Sequence, residues 1–306
     1  MAIKKKSKEK PSVSLVLGSG GARGFAHIGV ISWLTEKGIK IESIAGSSMG
    51  ALIGGIYAAG KLDIYTEWVR ALERKDVIRL LDFTFGRPGL LKGEKIIDFL
   101  KTLVGDANIE DLPITFTAVA TDIQAEKEVW IDKGPLFDAI RASIGIPTLF
   151  TPFNHQGRIL IDGGLLNPIP IAPTARDRTD LTIAVNLSGK GKIPEITKPG
   201  RKKPANGWKK YHAAILEYIE DVQEKFGAEK DDELGLFDVI SQSMDTMQAT
   251  IARFQLAAHS PDVTIDIPKA SCTFLEFDRA DDLIAIGYHM AEKTLGEFFE
   301  NNGYGF

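Results

Sequence analysis

The chain has 306 residues, of which 44% are hydrophobic, so it is long enough to bury a substantial core. Its formal net charge of −4 gives no support to a nucleic-acid partner, and its single cysteine excludes an internal disulfide framework. No apolar run is long enough for a signal peptide or a membrane span, which predicts a cytoplasmic protein. Lysine-rich stretches at 4–10 and 190–210 leave peripheral contact with an anionic membrane open as an alternative.

Strand-like and helix-like patterns alternate through the first 187 residues. The predicted strands lie at 13–17, 41–46, 114–122, 126–132, 158–164 and 181–187. The predicted helices lie at 24–36, 49–60, 62–74, 93–105 and 134–147. This alternation predicts an α/β fold, with a mostly parallel central sheet and helices on both of its faces.

The last third of the chain has mainly helical patterns. One long stripe of apolar residues keeps helical spacing and is interpreted as the side of a helix that faces the core. Its members are Leu236, Ile240, Met244, Met247, Ile251, Phe254 and Ala258. The stretch before this region, residues 188–207, is rich in Lys, Pro and Gly and is interpreted as a mobile linker or lid.

A glycine-rich loop, GSGGARG at residues 18–24, follows the first predicted strand. Such a loop presents backbone N–H groups to an anion, and a dinucleotide phosphate is one candidate. The dinucleotide motif is incomplete, however, because Arg23 stands where its third glycine is needed and Gly24 comes one residue late. The next predicted strand also ends without the acidic residue that would bind a ribose. The sequence therefore disfavours a nucleotide site.

The second predicted strand ends in GSSMG at residues 46–50, which fits the G-x-S-x-G pattern with Ser48 at its centre. A small-residue helix follows, so the pattern lies in the strand–turn–helix context that a nucleophilic serine requires. Gly46 and Gly50 would relieve crowding at the sharp turn. The helix after Ser48 would also direct its N-terminal N–H groups towards negative charge.

A serine nucleophile needs a base. None of the five histidines follows a predicted sheet strand: His27, His155, His212, His259 and His289. A triad that uses His259 or His289 stays open as an alternative. Asp162 is the better candidate, because it ends an apolar strand and is followed by Gly163 and Gly164, which allow another segment to approach closely.

Three motifs in this order, GGARG (20–24), GSSMG (46–50) and DGG (162–164), resemble the patatin-like phospholipase family. The segment ASIGIP (142–147) and the dipeptide NP shortly after DGG also resemble that family. The resemblance covers roughly residues 13–190. It implies a three-layer α/β/α sandwich and a Ser–Asp dyad that works without histidine.

The resemblance assigns roles to individual residues. Ser48 would be the nucleophile and Asp162 the general base, and the backbone N–H groups of Gly20 and Gly21, with Ala22 as a third candidate, would form the oxyanion hole. Arg23 and Gly24 would support the loop. For Arg23 we expect bonds to carbonyl groups, with contact to a phospholipid head group as the alternative. No metal or other cofactor is implied.

The family resemblance also organises the chain. Residues 1–12 are predicted to be a basic disordered tail, 13–187 the patatin-like catalytic core, and 208–306 a mainly helical C-terminal part packed on that core. The expected activity is that of a serine acyl hydrolase acting on phospholipid or other lipid esters. The alternative is a non-catalytic lipid-binding or regulatory protein that keeps the fold. The oligomeric state is left open.

Overall fold

The computed structural model describes residues 10–72, 93–147, 149–196 and 236–304. The strands are β1 (Ser12–Leu17), β2 (Lys40–Ser47), β3 (Thr115–Asp122), β4 (Lys127–Ile131), β5 (Phe153–His155), β6 (Arg158–Asp162), β7 (Leu181–Gly189) and β8 (Val263–Pro268). The α-helices are α1 (Ala26–Glu36), α2 (Met49–Ala58), α3 (Leu62–Ala71), α4 (Glu94–Val104), α5 (Leu136–Ser143), α6 (Leu236–His259) and α7 (Ala280–Asn301).

The eight described strands form one mixed sheet in the order β5-β6-β3-β2-β1-β7-β8, and β4 also pairs with β3. The run β3-β2-β1-β7-β8 is parallel, as predicted for the centre of the sheet. Strands β4 and β6 are antiparallel to β3, and β5 is antiparallel to β6. One side of the sheet is therefore antiparallel, which the simple alternation of strands and helices did not predict.

The last third of the chain is mainly helical, as predicted, but it also contains strand β8, which was not predicted. Its buried residues alternate in the two-residue period of a strand: Val263, Ile265 and Ile267. The run is only six residues long and lies between two long helices, so the helical pattern around it dominated. Because β8 pairs with β7, the C-terminal part of the chain extends the central sheet.

Both faces of the sheet are covered, which accounts for the three consecutive apolar residues, Leu15, Val16 and Leu17, that end β1. Leu15 and Leu17 point into the larger core, which includes residues of α1, α2, α5 and α7. Val16 points the other way, into a smaller cluster with Ala184 of β7 and Ala252 of α6. The architecture is thus an α/β/α sandwich with one thick and one thin helical side.

The last helix, α7, lies against α1 in the thick layer. Two glycines allow their backbones to approach closely, because a Cβ at Gly29 would clash with the carbonyl oxygen of Ile284 and one at Gly287 with that of Ala26. The rings of Trp33 and Phe299 stack with centroids 6.3 Å apart. The C-terminal part therefore completes the core.

The prediction that the apolar stripe of α6 faces the core is wrong for two of its large members. Met247 and Phe254 are 51% and 71% exposed, whereas Gln248 and Ala252 are buried. The helix packs through small and polar side chains, because its inward side meets the glycine loop and the thin cluster. Met247 and Phe254 consequently lie on its outward side.

Several predictions concern residues outside the described ranges. They include most of the basic tail at 1–12, the linker or lid beyond residue 196, the following stretch up to residue 235, and His212. The predicted division of the chain into four parts stays a prediction. Within the described ranges, no helix combines the length and apolar character that crossing a membrane requires.

Candidate active site

Ser48 lies at the turn between β2 and α2, with backbone angles of φ 56° and ψ −122°. A positive φ is strained for a residue with a side chain, and such strain persists only where the surroundings enforce it. Close approach explains the flanking glycines. A Cβ at Gly50 would clash with the carbonyl oxygen of Leu17, and one at Gly46 would lie 2.5 Å from the backbone nitrogen of Ala51. The predicted strand–turn–helix around Ser48 is therefore present and tightly constrained.

Ser143, the last residue of α5, holds the backbone of this turn. Its hydroxyl oxygen accepts the N–H of Ser48 at 2.9 Å and donates to the carbonyl oxygen of Val119 in β3 at 2.6 Å. The side chain is fully buried, so the two bonds have no water to replace them. Ser143 lies in the ASIGIP segment, but the sequence did not predict that its hydroxyl would bind the backbone of Ser48.

Asp162 ends β6 and lies beside Ser48. The hydroxyl of Ser48 donates to Oδ2 of Asp162 at 2.6 Å, and the backbone N–H of Gly164 donates to Oδ1 at 2.7 Å. The sequence predicted that Asp162 ends a strand of a mostly parallel sheet. In the structure β6 is antiparallel to β3, and Asp162 pairs with Ala120. A short strand that enters from beyond the carboxyl end of β3 delivers the carboxylate to the same edge.

The two glycines after Asp162 allow this close packing. A Cβ at Gly163 would clash with the carbonyl oxygen of Val119, and one at Gly164 would clash with the side chain of Ser19. The DGG turn therefore lies directly between β3 and the glycine loop. This is the close approach that the sequence predicted for the two glycines.

Both reacting side chains are shielded from solvent, with relative exposures of 0% for Ser48 and 1% for Asp162. Burial raises the pKa of Asp162 to about 6, and the hydrogen bonds from Ser48 and Gly164 oppose that rise only in part. A carboxylate with this pKa is a stronger base than an exposed one. It is still ionised at neutral pH.

The glycine loop, defined here as residues 18–24, leads from β1 into a short 3₁₀ helix, Gly21–Phe25. Its first two N–H groups are used, because Gly18 donates to Val185 at 3.1 Å and Ser19 to Pro168 at 2.8 Å. The next two N–H groups, of Gly20 and Gly21, have no acceptor among the residues that the structure describes. They are available to an anion.

The prediction for Ala22 is not met in this structure. Its N–H donates to the carbonyl oxygen of Phe274 at 2.9 Å, so it is not free to stabilise an oxyanion. Phe274 also covers Gly21, where φ is +55° and a Cβ would lie 2.5 Å from the Phe274 oxygen and 2.8 Å from its ring. On its other side, Phe274 packs with Ile146 and Phe150.

The histidines do not supply a base for Ser48 in the described part of the chain. His27 is fully buried, its Nε2 lies 2.8 Å from the carbonyl oxygen of Gly18, and burial lowers its pKa to about 4. It is therefore neutral and donates to the glycine loop through Nε2. The hydroxyl of Ser48 donates to Asp162 and to no described histidine.

Arg23 is 2% exposed, so its side chain is not accessible to a lipid head group, which was the alternative prediction for this residue. Its Nη1 donates to the carbonyl oxygen of Lys269 at 3.3 Å, and its Nη2 to Asp245 of α6 at 2.5 Å. Gly24, the next residue, lies against Met49, and a Cβ there would clash with the Met49 side chain. The loop is thus fixed from the C-terminal part of the chain and from α2.

The described residues contain no group of three or more His, Cys, Asp or Glu side chains that could hold a metal ion. The groups that the structure places at this edge are a hydroxyl, a carboxylate and backbone N–H groups. A hydroxyl bonded to a carboxylate suits attack on a carbonyl carbon, and N–H groups without an acceptor among the described residues suit the charge that develops on its oxygen.

Comparisons with known proteins found similar chains of three kinds. VipD from Legionella pneumophila has a solved structure with 14% identity and a TM-score of 0.47, covering 95% of this chain and 67% of its own. A lysophospholipase of Emericella nidulans is 32% identical over 62% of this chain and 12% of its own length. An uncharacterized NTE family protein of Mycobacterium tuberculosis is 38% identical over 97% of this chain and 95% of its own.

A family model described as patatin-like phospholipase matches residues 15–175, more than half of the chain. That span contains Ser48, Asp162 and the glycine loop, on which the sequence resemblance was based. With the family model matched over this span and a mycobacterial relative aligned over nearly the whole length, the chain belongs to the patatin-like phospholipase family.

Proposed function

We propose that this protein is a serine acyl hydrolase that cleaves lipid esters of the phospholipase A or lipid esterase type. The observation that carries the proposal is the buried hydrogen bond of 2.6 Å from the Ser48 hydroxyl to Asp162. A serine nucleophile must lose a proton as it attacks, and this bond gives the proton an acceptor before substrate arrives. No histidine or metal ion is needed for that step.

Asp162 acts as the general base. An exposed aspartate with a pKa near 3.9 is a weak acceptor for an alcohol proton, so a raised pKa improves the match. Burial raises the pKa of Asp162 to about 6, which leaves most of the group ionised at pH 7. The same seclusion strengthens the electrostatic interactions of the site.

Gly20 and Gly21 stabilise the oxyanion. As Ser48 Oγ bonds to the ester carbon, the carbonyl oxygen gains negative charge and accepts the two N–H groups that have no described protein acceptor. One such donor is typically worth about 3–4 kcal/mol. The N-terminus of α2, which begins directly after Ser48, adds a favourable dipole.

The reaction then proceeds through an acyl-enzyme. The ester C–O bond breaks, and the proton held by Asp162 passes to the oxygen of the departing alcohol. In the second half, Asp162 takes a proton from water while the water oxygen bonds to the acyl carbon. The bond to Ser48 breaks, its oxygen regains the proton, and a free fatty acid is released.

Kinship and the surroundings of the site support the proposed substrate class. The family is that of patatin-like phospholipases, and one relative is a lysophospholipase. Ile146, Phe150 and Phe274 form an apolar cluster that joins the glycine loop to the segment bonded to Asp162. An acyl chain would be compatible with these apolar surroundings. For a partner, we propose an anionic membrane surface from which the protein takes its lipid substrate.

Labelling with a fluorophosphonate probe tests the proposal, with the modified peptide mapped by mass spectrometry. We expect label on Ser48 in the wild-type protein. For Asp162→Asn we expect the rate of labelling to fall roughly 1,000-fold or more. Ser47→Ala is the matched control, because it removes the neighbouring buried hydroxyl. Absence of label from folded wild-type protein would favour the non-catalytic lipid-binding alternative.

A further inference from the structure

We propose that Asp245 of α6 is a positioning residue for the reaction, which orients the glycine loop through the buried side chain of Arg23. This inference rests on the proposed function, because it concerns the N–H groups that would bind the oxyanion. It assigns a task to a residue 70 positions beyond the last residue matched by the family model, which ends at residue 175.

The first step is the charge of Arg23. A guanidinium that is 2% exposed has lost nearly all of its water and needs a partner of opposite charge. Asp245 provides one at 2.5 Å, and its own side chain is only 14% exposed. The second carboxylate oxygen of Asp245 is 2.9 Å from the ammonium nitrogen of Lys269, so the carboxylate joins two cations.

The second step is the position of Arg23 in the chain. It lies two residues after Gly21, inside the same 3₁₀ helix, so the orientation of its backbone is coupled to that of the N–H groups before it. Donors of an oxyanion hole must be aimed at the developing charge, and a displacement of about 1 Å can cost roughly 100-fold in rate. Fixing the guanidinium therefore fixes the loop.

The third step is that α6 contacts the glycine loop twice. Gln248, one turn after Asp245, accepts a hydrogen bond of 3.3 Å from the hydroxyl of Ser19. Residues three apart share one side of a helix. The two contacts bracket Gly20 and Gly21, the residues whose N–H groups have no acceptor among the described residues. This also explains why the inward side of α6 is polar where the sequence pattern predicted an apolar stripe.

The main experiment compares Asp245→Asn with wild type in the hydrolysis of a neutral ester. We expect kcat to fall about 30-fold with KM changed by less than about threefold, because the substrate-binding surface is untouched. Lys269→Met is the matched control. It removes the other cation from Asp245 but keeps the backbone carbonyl that Arg23 contacts, and we expect kcat to stay within about twofold.

A second variant separates positioning from simple compensation of charge. The double substitution Arg23→Met with Asp245→Leu removes both charges, and apolar replacement of a buried ion pair is commonly tolerated for stability. We expect this folded double variant to remain about 30-fold slower than wild type, with no loss beyond that of Arg23→Met alone. Recovery of the wild-type kcat would overturn the inference.

Two further outcomes are distinguishable. If the fluorophosphonate labels Ser48 in wild type and labels Asp245→Asn at the same rate, the inference fails while the proposed function stands. If folded wild type is not labelled at all, both fail. Amide hydrogen exchange of residues 18–24 gives an independent measurement. We expect faster exchange in Asp245→Asn than in Lys269→Met, and equal exchange in the two variants would also overturn the inference.

Discussion

Two regions of the molecule contribute to the candidate site in different ways. The span 15–175, matched by the family model, contains Ser48, Asp162 and the two N–H groups of the glycine loop that have no acceptor in the described part of the chain. The region 236–304 provides no proposed reacting group, yet Asp245, Phe274 and the backbone of Lys269 all contact that loop. In the proposed reaction, the first region supplies the reacting groups, and the second region fixes the loop that would bind the oxyanion.

The proposed reacting groups and the residues that support them differ in how far apart they can lie in the sequence. Reacting groups sit in short motifs, because a turn such as GSSMG must bring specific residue types together within a few positions. Supporting contacts need only the right atom at the right place. A carbonyl oxygen of Phe274 or a carboxylate on α6 can come from any segment that the fold returns to the loop. The following predictions test this division.

Among the predictions that test this division, the largest expected effect concerns the first region and is the pH dependence of the reaction. Asp162 must be ionised to accept a proton, and burial raises its pKa to about 6. We therefore expect kcat/KM to be constant above that pH and to fall about tenfold per pH unit below it, roughly 100-fold by pH 4. Initial rates on a neutral ester from pH 4 to 9 provide the measurement.

A histidine base would also make kcat/KM fall below a pH near neutrality, so variants are needed to distinguish a histidine base from Asp162. His259→Asn and His289→Asn remove the histidines of the alternative triad. We expect each variant to keep both the rate and the midpoint of wild type. A midpoint near 4 in wild type would contradict the buried carboxylate, and loss of activity in either histidine variant would contradict the dyad.

The sequence predicted the parts that local motifs encode. Ser48, Asp162 and the close-packed glycines lie together as expected, and the strands that deliver them lie near their predicted positions. It did not predict that Ala22 is bonded to Phe274, since the two residues are about 250 positions apart and neither belongs to a shared motif. Nor could spacing alone reveal the direction of β6, because five residues encode a strand but not its partner's orientation.

The prediction of which side of α6 is buried is the one that differs most from the structure. Regular apolar spacing ordinarily marks the buried side of a helix. In α6 the inward side instead meets Arg23 and Ser19, so it carries Asp245 and Gln248. Met247 and Phe254 lie outside. A periodic pattern reports which residues share a side, whereas the chemistry of the opposing surface decides which side is buried.

An intermediate effect is expected at Ser143, which belongs to the matched span but acts by support. Removing its hydroxyl in Ser143→Ala leaves the buried N–H of Ser48 and the carbonyl of Val119 without their partner. We expect a loss of about 1–3 kcal/mol in the free energy of unfolding, measured by urea denaturation. We also expect kcat to fall roughly tenfold, because the strained turn at Ser48 relaxes.

Ser47→Ala is the comparison for that variant. Its hydroxyl is also buried, but it has no hydrogen-bond partner in the described part of the chain, so its removal breaks no bond. We expect its kcat and stability to stay close to those of wild type. Equal losses in the two serine variants would show that burial of a hydroxyl, and not the bond to Ser48, determines the effect.

The smallest expected effect is a gain, and it concerns the second region. Ser48 is fully buried, so an acyl group must displace part of its cover, and Phe274 lies over Gly21 while packing with Ile146 and Phe150. Phe274→Ala removes the ring but keeps the carbonyl that Ala22 contacts. Losing about 1 kcal/mol of apolar contact from the covered form should raise its uncovered population, and hence the labelling rate of Ser48, about fivefold.

The neighbouring substitution Leu275→Ala sharpens this test, because Leu275 lies in the same turn but is not part of the apolar cluster at Phe274. We expect its labelling rate to match that of wild type. If Phe274→Ala instead slows labelling, the ring supports the loop in the same sense as Asp245, and the C-terminal region acts purely by positioning. If it accelerates labelling, one region both orders the N–H groups of the loop and limits access to them, so that the two tasks can be separated by substituting a single ring.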